Sequence, residues 1–264
     1  MLKDNYYACS WCWARLLMDI SVKIGKRTVQ RGPRSSVGVK KFLLGLNRDL
    51  DAIKRSVLFN SNYYFISQAS LPPQEGNFLP IEISVLYLED RRFFLHRGAE
   101  FRSIARGVKR YVKGNGFGGI STIDQQVVRI SVARYERTVS RKAREILLAI
   151  FLNFHLTKRD IFSYYLNNAY LGHRMSGCEE AANLIFNMRA DKLDQDQAAF
   201  IASLFPLPFP RSVWETYSKM GFYPLSDPYE IISFAEAIAP RWAKRVRNRM
   251  NLAMSAYDFS PKSL

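Results

Sequence analysis

The sequence predicts a mostly α fold, and three features carry that prediction. Apolar residues recur at helical spacing, as Ile83, Leu86 and Tyr87 do before Asp90, and as Ile104, Val108 and Val112 do within a basic stretch. Helix-start signatures recur as well. Ser121 with Asp124, Thr157 with Asp160, and Asp194 with Gln197 each set a capping side chain three residues before a polar one. Alternating strand patterns are nearly absent.

Taken in order, the chain begins with a basic region, 1–60, holding two expected helices at about 10–25 and 39–57. Between them, KRTVQRGPRSSVG (26–38) combines Gly, Pro, Ser and positive charge without periodicity, as a linker does. Residues 62–80 are irregular, because LPPQEGNFLP holds too much Pro and Gly for a helix. Helices are expected over about 82–93 and 100–113, then a turn at GNGFGG (114–119) and a helix capped by Ser121. Three more follow: about 140–155 with the apolar run ILLAIFLNF, 157–171, and one begun by Asp194 that carries QAAFIASLF. After PLPFP (206–210) and a mixed stretch, a basic helix closes the chain at about 240–256. The expected organisation is a basic helical arm (1–60), a catalytic domain (61–210) and a basic helical extension packed on it (211–264).

With 264 residues the chain is long enough to bury a core, and its 48% hydrophobic share is ordinary. A net charge of +16 implies an anionic partner: nucleic acid, lipid headgroup or phosphorylated substrate. Three cysteines exclude a disulfide framework. Cys9 and Cys12 form a lone CxxC beside Trp11 and Trp13 and read as packing or interfacial thiols; Cys178 reads as a small buried residue. No run approaches the roughly 18–20 apolar residues of a membrane span. The first residues lack the order of a signal peptide. With Tyr6, Tyr7, Trp11 and Trp13 near Arg15 and Lys23, they suit either a bilayer interface or an amphipathic helix docked on the core.

The chemistry concentrates between Glu89 and Glu145. A carboxylate acting as a base beside cations that hold a phosphate leaving group needs such parts. Ser121, Thr122, Gln125 and Gln126 set hydroxyls and amides at a helix start, which suits a phosphate or a sugar as well as simple capping. Blander readings exist for the rest. Glu89 and Asp90 would end a helix and pair with Arg91 or Arg92, and Arg141 with Glu145 would be a surface i,i+4 pair. His96 suits a substrate contact or a structural hydrogen bond, and His155 and His173 read as structural.

Together these segments resemble the peptidoglycan glycosyltransferases of glycosyltransferase family 51 over about 81–208, with a fainter echo in APRWAKRVRNRM at 239–250. The first motif is similar to Glu89, Asp90, Phe93, His96 and Gly98, and the second to Gly119, Ser121, Thr122, Ile123, Gln125, Gln126 and Arg129. The third matches Arg141, Lys142 and Glu145, while a fourth and fifth look like 156–186 and 193–208. The resemblance implies a lysozyme-like helical fold with a head lobe and a small membrane-facing jaw. It implies polymerisation of lipid II, in which an acceptor 4-hydroxyl attacks C1 and expels undecaprenyl pyrophosphate, at the outer face of the cytoplasmic membrane. Glu89 is then the base, and Arg141, Lys142 and Arg129 hold the pyrophosphate, with His96 and the Ser121–Gln126 stretch beside them. Glu145 orients substrate or a divalent ion, Mg or Mn. The implied partners are lipid II or a similar undecaprenyl-pyrophosphate saccharide, the growing glycan strand and an anionic membrane surface, with no nucleic acid.

Three residues depart from the family pattern: Ile120 stands for Gly, Asp124 for Thr and Arg129 for Lys. Asp124 is expected to add negative charge beside the pyrophosphate site. A transferase for another lipid-linked saccharide fits these departures. A non-catalytic basic binder of membrane, glycan or nucleic acid does not require both Glu89 and Glu145.

Overall fold

A computed structural model describes residues 34–60, 78–100, 121–133, 138–220 and 227–257. The expected helices at 10–25 and 100–113, the GNGFGG turn, Cys9, Cys12 and Ile120 lie outside them. The chain divides into two compact units, Met1–Gly45 and Leu46–Leu264. Helix α1 (Arg34–Asn60) begins in the first and continues through the second. It reaches back to Arg34 across residues read as linker.

Within the second unit, α1 buries Leu46, Leu50, Ile53 and Val57, one face at helical spacing. Helix α2 (Pro80–Glu89) follows, started by Pro80 and by the Leu79 amide, which donates to Glu82 Oε2 at 2.9 Å. It ends at Glu89, four residues short of the expected limit, and the aromatic run continues as a 3-10 turn, Phe93–Leu95. Next come α3 (Ile123–Val132), α4 (Val139–Leu152) and α5 (Lys158–Asn168). Thr157 and Asp160 form the capping box expected for α5.

A small hairpin, β1 (Tyr170–Gly172) with β2 (Met175–Ser176), pairs Tyr170 with Ser176 and Gly172 with Met175. Strands this short carry no alternating pattern to read. Helices α6 (Gly177–Phe186), α7 (Gln195–Ser203), α8 (Arg211–Lys219), α9 (Pro228–Ile238) and α10 (Pro240–Met254), with a 3-10 turn at Ala190–Lys192, complete the described elements. The mixed stretch after PLPFP thus resolves into α8 and α9.

Helix α7 is the centre of the core. Every residue from Gln197 to Ser203 is buried, and α2 and α10 pack on it. Elsewhere α3 packs on α4 and α5, and α5 on α6. Each fully buried side chain, such as Ile81, Ile123, Leu148 or Phe200, contributes about 1.5–3 kcal/mol through removal of apolar surface from water. The architecture is mostly α, as the sequence predicts. No helix of the described residues is long and apolar enough to cross a membrane.

One close approach sets the geometry of the site. Gly98 has φ +84°, and a Cβ there would meet the Ala149 carbonyl oxygen at 2.3 Å. Only glycine lets the loop after α2 lie directly on α4.

Candidate active site

Glu89, the last residue of α2, is held by two donors from distant parts of the chain. Arg249 Nη2 of α10 donates to Oε1 at 2.6 Å, and Gln126 Nε2 of α3 donates to Oε2 at 3.1 Å. The Tyr165 hydroxyl of α5 donates to Gln126 Oε1 at 2.8 Å, which turns the amide nitrogen towards Glu89. Burial pushes the Tyr165 hydroxyl well above its ordinary pKa, with the nearby Glu89 charge acting in the same sense. It remains a donor over the whole neutral range. Glu89 and Asp90 do end the helix, but the pairing with Arg91 or Arg92 does not occur: Arg91 donates to the Tyr87 carbonyl and lies over its ring, and Arg92 pairs with Glu100.

Glu145 is the second carboxylate, only 3% exposed, and three cations converge on it. Arg129 reaches both its oxygens, Nη2 to Oε1 at 3.1 Å and Nε to Oε2 at 3.3 Å. Arg141 Nη1 donates to Oε2, and Lys142 Nζ donates to Oε1 at 2.6 Å. Lys142 also reaches Ser121 Oγ at 2.8 Å and Gln125 Oε1 at 2.6 Å. Burial works against a charged Glu145, but the hydrogen bonds from Arg129 and Lys142 prevail and hold its pKa below the ordinary value. For Lys142 burial wins: its pKa is lowered despite the bond to Glu145, with Arg129 and Arg141 adding to the effect.

These two centres meet on one helix turn. Gln125 and Gln126 are neighbours in α3, the first bonded to Lys142 and the second to Glu89. The turn is built by Thr122, whose hydroxyl accepts from the Gln125 amide at 3.3 Å and donates to the Gly98 carbonyl at 2.9 Å. The cap is therefore Thr122 and not Ser121, whose hydroxyl serves Lys142 and Arg129 instead. Thr138 caps α4 in the same way, accepting from the Arg141 amide and placing Arg141 and Lys142 in its first turn.

Behind this turn lies a buried charge network. Asp124 is fully buried, with Lys158 Nζ 2.8 and 2.9 Å from its two oxygens and Asn153 Nδ2 at 2.7 Å. It does not add charge beside the Arg129, Arg141 and Lys142 cluster, as the sequence reading expects. A residue next to Gln125 on a helix points about 100° away from it. His96 lies in the same network. Its Nε2 is 2.9 Å and its Nδ1 3.8 Å from oxygens of Asp90 and Asp124, and its side chain is 7% exposed. Asp90 also accepts from the Ile123 amide at 3.2 Å.

Of the sequence-predicted contacts, Ser121, Gln126, Arg129, Arg141 and Lys142 keep partly exposed surfaces. Thr122, Gln125 and His96 do not reach outward: Gln125 holds Lys142, Thr122 caps α3, and His96 bonds Asp90. Among the described residues, Asp90, His96 and Asp124 set ligand atoms within 4.8 Å of one another, a grouping that could hold a metal ion. Both oxygens of Glu145 already face cations, and in the Asp90, His96 and Asp124 group Lys158 pairs with the Asp124 oxygens. Sequence reasoning missed Arg249, Tyr165, Asn153 and Lys158. Two signals were available: the basic run APRWAKRVRNRM at 239–250, which contains Arg249, and the fourth motif at 156–186, which contains Lys158 and Tyr165.

A family described as Transglycosylase matches residues 64–221. The chain is 39% identical over 126 residues to a biosynthetic peptidoglycan transglycosylase of Alcanivorax borkumensis, covering 47% of this chain and 51% of that protein. It is 30% identical over 151 residues to the protein of that name from Haemophilus influenzae, covering 57% of this chain and 59% of that one. It is also 38% identical over 122 residues to penicillin-binding protein 1A of Neisseria gonorrhoeae, covering 46% of this chain but 15% of that one. The matches therefore span about half the length of the two transglycosylases and a small part of the penicillin-binding protein.

Proposed function

The chain belongs to the transglycosylase family, and on that premise we propose that it is a peptidoglycan glycosyltransferase, polymerising lipid II into glycan strands with release of undecaprenyl pyrophosphate. The observation that carries this reading is the pairing, through adjacent Gln125 and Gln126, of the oriented carboxylate Glu89 with the cations on Glu145.

In the proposed step the acceptor 4-hydroxyl oxygen attacks C1 of the lipid-linked sugar. The bond from C1 to the pyrophosphate oxygen breaks, and the pyrophosphate leaves with the electron pair. Glu89 takes the hydroxyl proton, having lone pairs left after Arg249 and Gln126 are served. Arg129, Arg141 and Lys142 meet the charge that grows on the leaving group. Glu145 holds those three cations in place, since its saturated oxygens leave no capacity for proton transfer. The same saturation argues against a second catalytic carboxylate and so against a glycosidase.

The partners proposed are lipid II, the growing strand and an anionic membrane surface, with the protein in the cell envelope on the outer face of the cytoplasmic membrane. The basic arm supports the membrane part of this reading, as do Leu43 and Leu44, which are 55% and 64% exposed.

The test is incubation of the full chain with purified lipid II, following polymer and released undecaprenyl pyrophosphate. Wild type should polymerise, and Glu89→Gln should lose about 10²-fold or more while still binding lipid II. Retention of more than about a tenth of the wild-type rate removes Glu89 as the base.

A further inference from the structure

We infer that Arg249, supplied by the C-terminal helix α10, is the positioning residue for Glu89, so that the site is completed by a part of the chain beyond the matched segment. This rests on the proposed glycosyl transfer. The family match ends at residue 221 and Arg249 lies 28 positions further on (249 minus 221), so neither the match nor the motifs assign it a role.

Three observations support the assignment. First, Arg249 sits on the packed side of its helix. Val246, Met250 and Ala253 form the buried stripe of α10, and position 249 falls three after the first and four before the last. The other cations differ: Arg241, Lys244 and Arg245 are exposed, and Arg247 pairs with Glu236. A guanidinium turned inward is costly unless it is paired, and the partner here is Glu89.

Second, the contact is short and shielded. The two side chains are 23% and 11% exposed and meet at 2.6 Å, so water competes little for the bond. The Arg249 Nε is buried without a hydrogen-bond partner. The guanidinium is therefore placed to serve Glu89 and not to satisfy its own donors.

Third, the two donors on Glu89 complement each other. Arg249 takes Oε1 and Gln126 takes Oε2, so together they fix the plane of the carboxylate. Gln126 alone would leave the group free to turn about its single anchored oxygen. A base must come within about 2.6–3.2 Å of the proton it removes. A misplacement of about 1 Å costs on the order of 10²-fold in rate.

The experiment compares R249M, R249K and R249A with the control R247M in full-length protein, using purified lipid II, with thermal melts on each. R249M should lose about 10²-fold in kcat, with KM and lipid II binding little changed. R249K should recover part of that loss, because it returns a cation without the planar fork. Added guanidinium should raise kcat of R249A and leave R247M unaffected. A purely structural role predicts a lowered melting temperature, parallel changes in kcat and KM, and no guanidinium rescue; that pattern overturns the inference. So does R249M, or R249K where R249M fails to fold, at wild-type kcat while Glu89→Gln is inactive. Failure of wild type itself to turn over lipid II overturns the proposed function and this inference with it, and is read in the same assay.

Discussion

Lys158 and Asp124 form a buried pair, the ammonium nitrogen 2.8 and 2.9 Å from the two carboxylate oxygens, with the Phe93 ring 4.2 Å below it. Both residues open helices, α5 and α3, so the pair locks the start of one to the start of the other. Burial lowers the Lys158 pKa, and Asp124 opposes that shift.

Replacing Asp124 with the residue usual in the family should therefore destabilise the protein and not improve donor binding. Asp124→Thr leaves the Lys158 ammonium without its carboxylate. Breaking a buried pair from one side costs about 3–5 kcal/mol. Urea unfolding should show that loss, and D124T/K158M should recover part of it. Tighter lipid II binding by D124T at unchanged stability would contradict the assignment.

Glu145 should govern part of the acid limb of stability. Its folded pKa lies below the ordinary value of 4.5. The stability it adds is complete above that ordinary value and is lost as pH falls through the lowered one. Glu145→Gln should therefore lower stability near neutrality and flatten its decline below about pH 4.5. Unfolding free energies measured across that range provide the check, and parallel curves for the two proteins would count against it.

Tyr165→Phe should release the Gln126 amide. The variant loses a hydrogen bond worth about 0.5–1.5 kcal/mol and leaves a buried acceptor without its donor. Once the amide can turn over, it presents its carbonyl oxygen to the Glu89 carboxylate. The rate of glycosyl transfer should then fall further than the lost stability accounts for. Denaturation and turnover measured on the same preparation separate the two effects.

Removal of residues 1–38 should weaken binding to vesicles containing phosphatidylglycerol. Each Lys or Arg near an anionic surface contributes about 1 kcal/mol, and salt screens it beyond a Debye length of about 10 Å at 0.1 M. Co-sedimentation at low and high salt tests this. Equal partitioning of the full and shortened chains would remove the arm from membrane binding.

Much of the site was legible because its residues lie close together in sequence. Arg141, Lys142 and Glu145 share two helical turns, and Gln125 and Gln126 share one. What sequence left open was direction. Asp124, Gln125 and Gln126 are consecutive yet point to three different partners, Lys158, Lys142 and Glu89, and spacing alone does not say which face meets which neighbour. The choice between Ser121 and Thr122 as cap turned on backbone angles that two adjacent hydroxyl residues do not reveal. Arg249 was hidden by distance, 160 residues from Glu89, among cations that turn outward.

At the head of α4, three cations surround one carboxylate, in a first turn without an acidic residue of its own. Such a cluster repels itself and opposes the helix dipole, and an anion relieves both. That relief is greater for an anion just cut free than for one still joined to a sugar, because cleavage adds negative charge. Under the proposed reaction, the protein grips what departs more firmly than what arrives. Its pace over many cycles is then set by product escape and not by bond breaking, and added salt should quicken repeated turnover while slowing the first.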